Sequence, residues 1–127
     1  MKIKTVLLTT SLAGATLMVA QPSVTGTGAQ GYLERGRFMY ESRNYVGAID
    51  QLNHLSQLPA TASMREEADY YLALSRFERD EAGGLQVLRE FVKKYPSSLY
   101  LQEVLMKIGN HYFYHGEFGD ALVAYTM

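Results

Sequence analysis

From residue 32 onward, apolar side chains recur at intervals of three and four: Leu105, Ile108 and Tyr112; Leu52 and Leu55; Leu88 and Phe91. That spacing places them on one face of a helix, where about 3.6 residues complete a turn. It predicts six helical segments: Tyr32 to Ser42, Tyr45 to Gln57, Met64 to Arg79, Glu81 to Lys94, Ser98 to His115, and Glu117 to the chain end. Leu, Ala, Glu, Arg and Tyr recur while Val and Ile are sparse, and no Asn-Gly or Asp-Gly pair separates alternating apolar runs. Helix is favoured over sheet.

The segments pair into units. Gly36, Ala73 and Gly109 stand 37 and 36 residues apart, and Pro59 and Pro96 stand 37 apart. A period of this length marks stacked supersecondary elements, here spanning about 32–60, 61–97 and 98–127, the last incomplete. The third unit is the sharpest: Leu105-x-x-Ile108-Gly109-x-x-Tyr112, then Gly116, then Ala121-x-x-x-Tyr125. Gly109 and Ala121 are small where two helices would cross, and Gly116 falls where a left-handed residue ends a helix at no steric cost. In the first unit Tyr32, Gly36, Met39, Ala48, Leu52 and Leu55 follow in the same order. In the second, Leu72-Ala73 replaces Leu-Gly, Gly84 or Leu85 replaces the alanine, and the turn from Arg79 to Gly84 is one residue short.

This pattern resembles the tetratricopeptide repeat family, whose motif runs Trp-x2-Leu-Gly-x2-Tyr, then Ala-x3-Phe, then Pro; Arg35 and Met39 depart from the expected Leu and Tyr. The resemblance covers roughly three quarters of the chain. It implies an all-α fold, a right-handed stack of antiparallel helical hairpins. The junction Phe91-Val-Lys-Lys-Tyr-Pro-Ser-Ser98 is similar to the repeats of bacterial envelope proteins. Local signals agree with the unit boundaries: Ser63 with Glu66 as a capping box, Asn44 as an N-cap, and Ser97 or Ser98 restarting helix after Pro96.

Residues 1–20 change the picture. Lys2 and Lys4 precede an uncharged run from Val6 to Ala20 and then Gln21-Pro22, the arrangement of a secretory signal peptide. The expectation is a periplasmic or secreted protein; an N-terminal membrane anchor is the alternative, less favoured because the run is shorter than the roughly 20 residues of a spanning helix. Residues 21–31 are small, polar and glycine-rich and read as a flexible linker. Gly26, Gly28 and Gly31 satisfy the spacing of a dinucleotide fingerprint but follow no strand.

Net charge is −1; without Lys2 and Lys4 the 12 basic residues fall to 10 against 13 acidic, a net −3. No basic footprint for nucleic acid results. Cysteine is absent, which removes disulfides, thiolate metal sites and thiol nucleophiles. His111 and His115 share a helix face, a spacing zinc proteins use, but no third ligand is evident. Glu66-Glu67 and Asp80-Glu81 sit at helix starts, where carboxylates favour the dipole. No catalytic residue, metal or cofactor is assigned.

The family resemblance implies a concave wall formed by the first helix of each unit. Carried over, it comprises Arg37, Tyr40 and Glu41; Tyr70, Leu74, Phe77 and Glu78; and Met106, Asn110, Phe113 and Tyr114. Such an aromatic wall with a few charges suits capture of a protein or peptide. The two-carboxylate clamp of some relatives is not expected, since only Asn110 and Arg37 fit it. The run Ala121 to Met127 stops within a second helix and before the expected proline. It reads either as a fragment of a longer array or as a helix that packs on another protomer, a route to self-association. The expected function is a non-catalytic interaction scaffold of the cell envelope. The alternative is an N-terminal accessory region of a larger exported enzyme or signalling protein.

Overall fold

A computed structural model describes residues 28–127; the leader over 1–20 and linker residues 21–27 lie outside the described residues. Six α-helices and no strand occur among them: α1 (Ala29–Glu41), α2 (Tyr45–Leu55), α3 (Ala62–Arg79), α4 (Glu81–Lys94), α5 (Leu101–Tyr114) and α6 (Phe118–Thr126). Consecutive pairs form antiparallel hairpins. In the first, Tyr40 meets Tyr45 near the turn while Tyr32 meets His54 at the far end. The second hairpin packs on the first through α2 with α3 and α1 with α3, and the third on the second through α4 with α5.

Two of the three turns share one device. Arg43 adopts φ 62° and Gly116 φ 78°. At each, the last carbonyls of the helix are satisfied by a crossed pair of bonds: Arg43 N–H to Tyr40 O and Asn44 N–H to Met39 O, Gly116 N–H to Phe113 O and Glu117 N–H to Tyr112 O. This Schellman arrangement closes the orphan carbonyls. The second turn is shorter, with Asp80 alone between α3 and α4 in extended conformation.

Asn44 caps α2 as expected, accepting from Gly47 N–H at 3.0 Å. The capping box at Ser63 is corrected: Thr61 is the N-cap of α3 and accepts from Met64 N–H at 3.2 Å, while Ser63 lies inside the helix. Ser98 accepts from Tyr100 N–H, and α5 begins only at Leu101. The linker is corrected too. Ala29, Gln30 and Gly31 belong to α1, because Ala29 and Leu33 bury beside Leu52, Leu55 and Ala68, and that burial outweighs a glycine-rich composition.

The small residues sit where the helices cross. Ala48, Gly84 and Ala121 occupy one position of the three hairpins and all are buried. Gly84 settles the open choice in the second unit: a Cβ there would strike the backbone of Phe77. Opposite, Gly36 receives Leu52 and Gly109 receives the Tyr125 ring. Fully buried Leu52, Leu55, Leu74 and Leu88 each contribute about 2 kcal/mol of hydrophobic stabilisation. Buried Ser75 donates its hydroxyl to Tyr71 O at 2.7 Å, so it costs little.

Candidate interaction wall

The first helices of successive hairpins, α1, α3 and α5, are linked by charge. Arg37 of α1 pairs with Glu67 of α3 at 3.4 Å, and Lys107 of α5 pairs with Glu78 of α3 at 2.5 Å. The two pairs use different repeat positions: Arg37 stands one after Gly36 and Glu78 five after Ala73, while Glu67 stands six before Ala73 and Lys107 two before Gly109. These partly exposed pairs add little stability, at most about 1 kcal/mol each, but they set the helices side by side.

Tyrosines fill the spaces between. Tyr40 lies 5.8 Å from the Tyr45 ring and 5.5 Å from that of Tyr71. Burial, with a smaller effect from Glu78, pushes the Tyr40 phenol up to about 12. Burial likewise raises Tyr71 and Tyr100. The three phenols remain neutral donors at neutral pH, presented among the carboxylates of Glu66, Glu67, Glu78 and Glu103.

Of the residues assigned to the wall, Arg37, Glu41, Glu78, Asn110 and Tyr114 are exposed and Tyr40 and Phe77 are half-buried. Asn110 accepts from the Tyr125 hydroxyl at 2.7 Å, so its amide is held in place. Tyr70 and Leu74 are corrected. Tyr70 is only 4% exposed, stacked on Tyr100 at 4.2 Å, and Leu74 is wholly buried. Burial first, and a hydrogen bond to Glu103 second, drive the Tyr70 phenol far above its ordinary value. Phe113 and Met106 are exposed, and the Phe113 ring meets Phe118 of α6 edge-on. Phe77 lies beneath Lys107 and edge-on to His111 of the next hairpin. The reading by repeat position missed Tyr71, Tyr100, Glu67, Glu103 and Lys107; Glu67 and Glu103 stand six before Ala73 and Gly109, a recurrence visible in the chain.

His111 and His115 stack at 4.3 Å, and His115 Nδ1–H donates to His111 O at 2.8 Å, closing the end of α5. Among the described residues no group of three His, Cys, Asp or Glu converges to hold a metal. His54 stacks flat on Tyr32 at 5.4 Å. A cavity of about 590 Å³ between α4, α5 and α6 is lined largely by Val92, Leu105, Ile108, Tyr112 and Val123, with Arg89, Lys93 and Asp120 among its charged residues. Among the described residues no helix is long and apolar enough to cross a membrane. Comparison with family models, with curated proteins and with solved structures gives no match to this chain.

Proposed function

We propose that this chain is an exported, non-catalytic scaffold of tetratricopeptide type that holds a protein or peptide segment against the wall formed by α1, α3 and α5. The observation that carries it is the alignment of those helices by the Arg37–Glu67 and Lys107–Glu78 pairs, with half-buried Tyr40 and Tyr71 between them. Rigid aromatic rings offer large contact area at low entropic cost. Carboxylates outnumber cations along the wall, with Glu41, Glu66, Glu67, Glu78 and Glu103 against Arg37 and Lys107. The partner segment therefore carries Lys or Arg side chains able to lie on the tyrosine rings. Lys2, Lys4 and the uncharged run to Ala20 support delivery to the periplasm or the exterior.

The test is affinity recovery from an envelope fraction by the intact chain, set against a variant carrying Glu41→Lys and Tyr114→Ala. Both side chains are exposed, so folding is preserved. Loss of a specific partner, with unfolding temperature unchanged, supports the wall; identical recovery contradicts it.

A further inference from the structure

The side of the molecule formed by the second helices changes character from one junction to the next. Where the second hairpin meets the first, α3 and α4 carry Arg65, Asp69, Arg76 and Gln86. At the same repeat positions, 36 or 37 residues on, α5 and α6 carry Leu101, Leu105, Tyr112 and Val123. Asp69 is engaged by Lys94 Nζ and by the Tyr95 hydroxyl, each at 2.7 Å. Leu105, in its place, lines the cavity of about 590 Å³ between α4, α5 and α6. The α4 side changes in the opposite sense: Asn53 and Gln57 of α2 are replaced by Arg89 and Lys93, which also line the cavity. An apolar floor and two cations thus arrive together, at the junction between the second and third hairpins alone.

The cations are available. Arg89 lies over the Tyr112 ring at 5.4 Å, and Lys93 follows one helical turn later on the same face of α4. Both are exposed, and among the described residues neither forms an ion pair. Asp120 shares the rim and pairs with neither, so two cations against one carboxylate leave it net positive. From Leu101 to Tyr112 the floor runs about 16 Å along α5. A mostly apolar cavity of this size with a few charged groups suits a small ligand. The lining offers no side-chain amide, and Tyr112 supplies its one hydroxyl. A peptide backbone buried there would leave N–H and C=O groups unpaired, which an alkyl chain does not carry.

We propose that this cavity binds a long-chain fatty carboxylate, its headgroup between Arg89 and Lys93 and its chain laid along Leu105 toward Leu101 and Pro96. The cavity uses a different face of α5 from the α1–α3–α5 wall, and neither proposal depends on the other.

The test is titration calorimetry of the intact chain with dodecanoate, and with dodecyltrimethylammonium as the same chain bearing the opposite charge, both below micelle formation. Saturable one-to-one binding of dodecanoate is expected, with the cation bound about tenfold more weakly or worse. Val123→Asp, at a side chain 58% exposed, places a carboxylate in the cavity and weakens dodecanoate about tenfold or more. The double variant Arg89→Gln, Lys93→Gln abolishes the preference for the anion. Val46→Asp, equally exposed on α2, leaves binding within about twofold. Helical ellipticity, unchanged in all three variants, shows that the fold is retained. Absence of saturable binding, equal binding of the two amphiphiles by the parent, or insensitivity to Val123→Asp overturns the proposal.

Discussion

Gly84 lies directly on the backbone of Phe77, so close that α3 and α4 leave no room for even a methyl group between them. Ala48 and Ala121 hold the same position in hairpins whose turns are longer. The single-residue turn at Asp80 draws the second pair of helices together, and only glycine fits.

Gly84→Ala therefore destabilises the fold by about 2 kcal/mol, although alanine is the better helix former by up to about 1 kcal/mol. Gly119 in α6 has nothing near the position a Cβ would take. Gly119→Ala stabilises by about 0.5 kcal/mol or more. Denaturant unfolding of the two variants checks the contrast of sign.

Arg43 holds a left-handed conformation that glycine adopts freely at the equivalent Gly116. Arg43→Gly relieves this, with an expected stabilisation of about 1 kcal/mol by thermal unfolding. The guanidinium is exposed, so no packing is lost with it.

Tyr40 gives the fold an alkaline limit. Its folded pKa of about 12 lies above the ordinary 10.0, so the unfolded chain loses its proton first as pH rises. The associated stability is complete below about pH 10 and is lost as pH climbs through 12. Unfolding measured across that range falls less steeply with pH in Tyr40→Phe than in the parent.

Tyr70 and Tyr114 separate core from surface. Tyr70→Ala removes a buried ring stacked on Tyr100 and costs about 3–5 kcal/mol. Tyr114→Ala, at an exposed ring, changes stability by no more than about 0.5 kcal/mol. Calorimetry distinguishes them.

The helices and their pairing were legible because small residues recur with the unit: Gly36, Ala73 and Gly109 announce the crossings before any coordinates. The wall was legible only in part. Whether a side chain on a first helix is bare depends on the next hairpin: Tyr70 is covered because Tyr100 stacks on it, while Met106, at the same repeat position, has no such neighbour. No local pattern encodes that. The start of α1 was hidden for a related reason. Gly31 argues against helix, yet burial of Ala29 and Leu33 beside Ala68, far along the chain, holds it. At Ser63 a good capping sequence lost to Thr61, whose side chain also meets an N–H three residues on.

The central claim, that the α1–α3–α5 wall is where a partner is held, is tested most directly by placing a photo-crosslinking amino acid at single exposed positions of the chain in the cells that produce it. Crosslinks to one common partner are expected from Arg37, Glu41 and Asn110, and none from Val46 or Gln86 on the second helices. Equal crosslinking from both sets, or crosslinks from the second helices alone, would contradict it.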